Sequence, residues 1–190
     1  MLEIGSMKRV CLGLLVVVAT AGTSAAGTYL GLGIGTAPAF SGGDQLESSS
    51  RSGRVLLGTR FGNVSVEAAV GGYDMAIRAN SGVVDPYGKV YQASGALKLS
   101  LPLGNNFEAF GRIGAHHTWL RADDDRFSVS GNGLLAGAGI EYRLNLILGQ
   151  GSIFLDYQYN QAKLSGERFV DRNALDTNSR MFTIGLTVGL

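Results

Sequence analysis

His116 and His117 are the only histidines in the chain, and three consecutive carboxylates, Asp123, Asp124 and Asp125, follow them closely. Such a set could serve general acid–base chemistry, or nucleophilic chemistry with a serine, provided base, nucleophile and acid lie within hydrogen-bond reach. It could also gather a divalent cation. Adjacent strand residues point to opposite faces, so in an extended segment at most one of the two histidines can serve a given site. The aspartate triplet is flanked by Arg121 and Arg126, which already supply counter-charge, and it lacks the ordered oxygen-ligand pattern of a calcium loop. The bland interpretation is a histidine at a strand end beside a solvated acidic loop, with no catalytic residue, metal or cofactor expected. Gly31-x-Gly33-x-Gly35 has neither the spacing nor the following helix of a dinucleotide loop. Cys11 is the only cysteine, so an intrachain disulfide is excluded.

A second set of charges is more regularly placed. Arg60, Lys98, Arg112 and Arg143, with Glu67, Glu108, Glu141 and Asp156, all occupy the polar face of segments that alternate apolar and polar residues, the signature of strands with two unlike faces. Eight such segments run over residues 28–36, 54–61, 64–73, 89–101, 107–120, 134–144, 152–160 and 181–190. In the first, Leu30, Leu32 and Ile34 oppose Gly31, Gly33 and Gly35. In the second, Val55, Leu57, Thr59 and Phe61 oppose Arg54, Leu56, Gly58 and Arg60. In the last, Phe182, Ile184, Leu186, Val188 and Leu190 oppose Thr183, Gly185, Thr187 and Gly189. The connections alternate too. Those over 38–53, 74–88, 121–133 and 161–180 are long, and those at 62–63, 102–106 and 145–151 are short. A meander with long links at one end and short turns at the other is the layout of an outer-membrane barrel.

Composition agrees. The 190 residues include 29 glycines, 3 prolines and only 16% charged residues, a balance opposite to that of a disordered chain. With 16 basic and 15 acidic residues, no broad electrostatic case for nucleic acid arises. Residues 1–26 have the form of a secretory signal peptide: Lys8 and Arg9, an apolar stretch from Val10 to Ala19, and the exit Ser24-Ala25-Ala26. An uncleaved anchor helix is the alternative, and translation can begin at Met1 or Met7. Loss of this segment removes Glu3, Lys8 and Arg9, leaving 14 basic and 14 acidic residues, and removes Cys11. Residues 27–190 are then expected to form one domain, an eight-stranded antiparallel up-and-down transmembrane β-barrel.

A soluble barrel of the lipocalin type also has eight alternating strands, but its apolar face points inward. Aromatic residues decide for the membrane. On the apolar face, Phe61, Phe107 and Tyr142 gather near the short turns, and Tyr91, Trp119, Tyr159 and Phe182 nearer the long loops. Two such belts match two membrane interfaces. Glycines on the polar face suit the narrow interior of eight strands.

The chain resembles the OmpA/OmpX-type family of small outer-membrane barrels. YLGLGIG from Tyr29 to Gly35 is similar to that family's first strand. FEAFGRIG from Phe107 to Gly114 and LAGAGIEYRL from Leu135 to Leu144 resemble two of its later strands. Thr183, Gly185, Val188 and Leu190 match the family's C-terminal signal for the barrel assembly machinery, with Leu190 standing where an aromatic is usual. The resemblance implies a stand-alone monomeric barrel in the bacterial outer membrane, without the peptidoglycan-binding domain of OmpA itself. Its implied partners are outer-membrane lipid and lipopolysaccharide, with the assembly machinery and periplasmic chaperones during biogenesis.

Apolar residues facing lipid place the eight charges in the lumen, in the half nearer the short turns. An unpaired buried charge costs several kcal/mol, so they are expected to form a salt-bridge network that plugs the barrel. A gated pore or proton path is the functional alternative. The long loops are either solvated linkage or a surface for lipopolysaccharide, other cells or host components. The expected role is non-enzymatic, in envelope integrity or in surface contact and adhesion. The rivals are a small-solute channel and a lipid A-modifying enzyme; the PagL-type deacylase is similar in architecture, but its His-x-Ser-Asn pattern is missing here.

Overall fold

The computed structural model describes residues 27–41, 46–48, 51–78, 84–122, 128–146, 149–165 and 175–190. The expected leader, residues 1–26, and the Asp123–Asp125 triplet with Arg126 lie outside them.

Ten strands occur in chain order: β1 (Gly27–Gly35), β2 (Ala39–Ser41), β3 (Leu46–Ser48), β4 (Ser52–Phe61), β5 (Val64–Arg78), β6 (Val84–Gly104), β7 (Phe107–Ala122), β8 (Ser128–Leu146), β9 (Gly149–Ser165) and β10 (Leu175–Gly189). Eight of them, β1 and β4 to β10, pair antiparallel with their neighbours in sequence, and β10 returns to β1 from Tyr29↔Gly189 to Gly35↔Thr183. The fold is therefore the expected closed eight-stranded barrel. Beyond the last residue of β10, Leu190 N donates to Thr28 O at 2.8 Å and extends the closing seam. Among the described residues no helix is long and apolar enough to cross a membrane.

Two expectations are corrected. The alternating segments ran mostly to 8–14 residues, whereas β5 to β10 extend over 15 to 21. Residues 38–53, expected as one connection, contain β2, which pairs β10, and β3, which pairs β5. The physical reason is shared. Apolar–polar alternation marks a strand only where its two faces meet lipid and lumen. Backbone pairing continues into water, where both faces are polar and the contrast vanishes.

Within the membrane-crossing part, alternation sets the faces. Ile34, Ile113 and Leu134 are more than 60% exposed on the outside, while Leu56, Phe110 and Phe154 are at most 4% exposed inside. Those three pack together with Tyr29 and Ala69, so the lumen holds an aromatic layer as well as charges. Phe110 lies over Gly139 and Phe154 over Gly185, where a Cβ would collide with the rings and with the carbonyls of Leu155 and Leu32. The β6–β7 turn needs left-handed backbone at Gly104, Asn105 and Asn106, residue types that tolerate it.

The pairing register climbs around the barrel. From Gly27 it passes through Arg60, Ser65, Lys98, Arg112, Gly137, Gln158 and Met181. Extended by the β1–β10 register, it meets the first strand ten residues further on. A stagger of this size tilts eight strands by roughly 40° and sets which lumen residues share a level.

Because ring and glycine fit together, Gly139→Val is expected to destabilise the barrel by about 2 kcal/mol. Urea unfolding in lipid vesicles measures this; an unchanged midpoint would refute the packing account.

Candidate functional site

The staggered register creates an electrostatic problem. Lys98 stands directly opposite Arg112, and Glu108 directly opposite Glu141. Like charges in register repel, so each must find its partner across the lumen or along it.

Near the short turns, Glu108 accepts two bonds from Arg60, from Nη1 at 2.8 Å and Nη2 at 3.0 Å. Its Oε1 also pairs with Arg143 Nη2 at 2.5 Å. Further in, Lys98 Nζ donates to Glu141 Oε2 at 2.5 Å and lies 3.7 Å from Glu67 Oε1. Glu67 Oε2 is 3.4 Å from Arg112 Nη2, and Arg112 Nη1 donates to Asp156 Oδ2 at 3.2 Å. The two like pairs are thus separated by partner choice. Glu108 binds the outer arginines and Glu141 binds Lys98, while Arg112 turns to Glu67 and Asp156. Phe110 stands between the two cations of the other pair, 4.4 Å from Lys98 Nζ and 5.0 Å from the Arg112 guanidinium carbon. Its π-face is an acceptable neighbour to both.

All eight charges expected in the lumen lie in this assembly. Two participants were not anticipated. Arg54 Nη2 donates to Asp156 Oδ2 at 2.5 Å and Nη1 to Gln158 Oε1 at 2.9 Å. Tyr29 donates its hydroxyl to Glu67 Oε1 at 2.7 Å. Both residues share the face of residues already placed inside, Arg54 with Arg60 and Tyr29 with the β1 glycines, so parity was the signal that could have found them. From Gln158 the chain continues through Asn160 to Ser179 on β10. A connected polar path therefore runs from β8 through β6, β5, β7, β9 and β4 to β10.

A cavity of about 40 Å³ lies beside the inner end of this network, lined by Arg54, Arg112, Glu67, Gln92, Ser94 and Gln158 among others. That is room for about three waters.

The histidines diverge as strand geometry requires. His116 is buried in the lumen, its Nδ1 3.1 Å from Thr118 Oγ1. His117 faces outward, its Nδ1 2.6 Å from Asn132 Oδ1 and its ring edge-on to Trp119 at 4.4 Å. Among the described residues neither ring bonds a serine.

The aromatic residues named for the belts all lie on the outer face. Phe61, Phe107 and Tyr142 are exposed at the short-turn end, with Phe107 and Tyr142 ring centroids 4.7 Å apart. Tyr91, Trp119, Tyr159 and Phe182 lie toward the other end, and Phe182 packs on Tyr157 at 4.9 Å. Twelve residues separate Phe107 from Trp119 on β7, a rise of about 30 Å at a tilt near 40°. Of the assembly-signal positions, Thr183 and Gly185 face the lumen and Val188 and Leu190 face outward.

The sequence profile of the family described as "Outer membrane protein beta-barrel domain" matches residues 10–189. No curated protein matches the chain. Among solved structures, Neisserial surface protein A is similar at 13% identity and TM-score 0.60, over 86% of this chain and 97% of that one. The outer membrane protein OprG from Pseudomonas aeruginosa is similar at 13% identity and TM-score 0.57, over 86% and 96%. At these identities the likeness is one of fold.

The network makes graded predictions. Arg112 is 6% exposed between two carboxylates; Arg112→Ala is expected to cost about 3 kcal/mol in vesicle-unfolding free energy. Arg143 is 44% exposed, and Glu108 retains Arg60 without it; Arg143→Ala should cost less than about 1 kcal/mol. Equal losses at the two sites would contradict a network organised around buried pairs.

Proposed function

The chain belongs to the outer membrane protein β-barrel domain family and is a protein of the bacterial outer membrane, and from that premise we propose that it is a closed, non-enzymatic barrel serving envelope integrity or surface contact and adhesion. The observation that carries this reading is the ion-pair path across the lumen. It joins six strands through Glu141, Lys98, Glu67, Arg112, Asp156 and Arg54. A conducting pore needs a continuous water-filled passage, and five basic and four acidic side chains fill the section where one would run. Barrels of this family turn short links to the periplasm and long ones outward. Their loops, carried on strands of up to 21 residues, are then held clear of the membrane surface. Long connections on a rigid scaffold are the usual seat of binding. The partners proposed for them are lipopolysaccharide and host or cell-surface ligands. Assembly machinery and periplasmic chaperones are the proposed partners during biogenesis, and the mature barrel is proposed to be a monomer.

The enzymatic alternative requires a base, a nucleophile and an acid that meet beside lipid. His116 is enclosed in the lumen, away from lipid, and His117 is engaged with Asn132. This separation favours the non-enzymatic reading.

Two measurements test the proposal. In planar bilayers the purified protein is expected to give no steady conductance; a sustained, single-level current would overturn the closed-barrel reading. Mass spectrometry of lipid A from cells with and without the protein is expected to give identical spectra. A mass difference that disappears in a His117→Ala strain would establish the enzyme instead.

A further inference from the structure

The lumen network leaves two guanidinium donors over. Arg54 Nε and Arg112 Nε are both buried and have no hydrogen-bond partner among the described residues, on side chains only 11% and 6% exposed. A buried donor without an acceptor bears its full desolvation cost, which is greater on a charged group. The rest of each guanidinium is committed. Arg54 gives Nη2 to Asp156 and Nη1 to Gln158. Arg112 gives Nη1 to Asp156, and its Nη2 faces Glu67.

Both arginines line the same cavity of about 40 Å³, and with Glu67 they are the charged residues of its wall, two positive and one negative. Glu67 is already engaged: Oε1 accepts the Tyr29 hydroxyl, and Oε2 faces Arg112. Asp156 Oδ1 is also unpartnered, but Asp156 is fully buried and is not part of the cavity wall. Toward the long loops no further carboxylate points inward among the described residues. Gln92 and Ser94 follow on β6, His116 and Thr118 on β7, and Gln158 and Asn160 on β9. Gly33 stands in register with Arg54 and lines the cavity too. Its lack of a side chain keeps the space beside Arg54 Nε open, since a Cβ there would lie 3.5 Å from that atom.

A guanidinium only donates, so the space between two of them calls for an acceptor. A water could accept from both, but it would have two protons of its own to place, and Glu67 and Gln158 Oε1 already receive arginines. A small anion has no proton to place. The Ser94 hydroxyl and the Gln92 amide, both on the wall, can turn donors toward it, and bonds from a guanidinium to an anion are the strong, charge-assisted kind. Room for about three waters admits a monatomic ion and excludes a large organic one. We infer that this cavity is a binding site for a small monovalent anion of the chloride type, held by Arg54 and Arg112 through their Nε donors, with Ser94 and Gln92 as neutral donors. The ion balances the excess of positive charge on the wall. Because it binds the folded barrel and not the unfolded chain, it ties the stability of the barrel to the halide concentration of the medium. This inference rests on the geometry of the lumen and is independent of the role proposed for the loops.

The test uses the full protein folded in lipid vesicles. Sodium gluconate, whose anion is too large for the cavity, is exchanged stepwise for sodium chloride at a constant ionic strength of about 0.5 M, where surface charges are screened alike. Above the dissociation constant, the equilibrium constant for unfolding in urea is expected to fall about tenfold for each tenfold rise in chloride. Ser94→Leu, which fills the cavity from its wall and leaves both arginines in place, should lose this dependence. Arg54→Lys, which keeps the charge and removes the Nε–H, should move it to about tenfold higher chloride. In crystals grown with sodium bromide, anomalous scattering is expected to place a bromide within hydrogen-bond reach of both Nε atoms. The assignment is overturned if chloride and gluconate give the same unfolding constant throughout, if folded Ser94→Leu keeps the dependence of the parent, or if no bromide occupies the cavity. A bromide peak without any chloride dependence means an adventitious ion only and overturns it as well. Should Ser94→Leu not fold, Arg54→Lys and the bromide map decide.

Discussion

A backbone N–H or C=O inside a hydrocarbon layer has no water to bond, and each one left unpaired costs several kcal/mol. In this protein the seam between β1 and β10 answers that requirement. Seven register pairs, from Tyr29↔Gly189 to Gly35↔Thr183, turn an eight-stranded sheet with two open edges into a ring with none. Both strands of the seam alternate an aliphatic residue with glycine or threonine. Leu30, Leu32 and Ile34 face lipid beside Val188, Leu186 and Ile184, while the lumen side is kept small. Thr183 and Gly185, positions of the assembly signal, belong to this seam. The residues that resemble a recognition signal are also the ones that close the ring.

Closure with only eight strands dictates the interior. The lumen is narrow, so a long side chain entering it must be paired there. The ten-residue stagger then sets lysine against arginine and glutamate against glutamate in register. Simple cross-strand pairing is unavailable, and the side chains reach along the axis instead: Glu108 toward the outer arginines, Glu141 to Lys98, and Arg112 to Glu67 and Asp156. Glycine at 137 makes room for the arch of Arg112, whose Cγ would lie 3.0 Å from a Cβ there. Glycines at 139 and 185 seat the two phenylalanines against which the cations lie, Phe110 beside Lys98 and Arg112 and Phe154 beside Arg54. Replacing buried ion pairs by apolar residues is often neutral or favourable to stability, so the network is better understood as a device for register. A one-residue slip would turn every inward charge toward lipid.

How much of this could be read from the sequence follows from the same physics. The eight strands, their faces and their order were legible because each strand lies between lipid and lumen, and two unlike environments print a period of two. The inward set was legible for the same reason. Partner choice was not, because parity gives the face and says nothing of height. Only the stagger brings Arg60 to Glu108, 48 residues away, and carries Arg54 to Asp156. Tyr29 was masked by the glycines around it, since a run of small inward residues gives no hint that one hydroxyl reaches a carboxylate on β5. The strand extensions beyond the membrane, with β2 and β3, were illegible because water on both faces removes the contrast on which the reading depends.

The two ends of the barrel are built for different tasks. Toward the short turns the lumen is packed with charge and aromatic rings, and the turns Gly62-Asn63 and Gly104–Asn106 are tight. Toward the long loops the inward residues change to Gln92, Ser94, His116, Thr118, Gln158, Asn160 and Ser179, polar side chains that form no ion pair among the described residues. The cavity lies where the ion pairs of Arg54, Glu67 and Arg112 give way to these neutral groups. Stiffness is therefore concentrated at the short-turn end, where β4 is pinned to β7 and β8 through Arg60, Glu108 and Arg143. Above the membrane it passes to the backbone ladders of β5 to β10. A strand pair stiffened by its own ladder needs no core to stay extended. Such a structure can vary the loops at its tip without disturbing the network at its base.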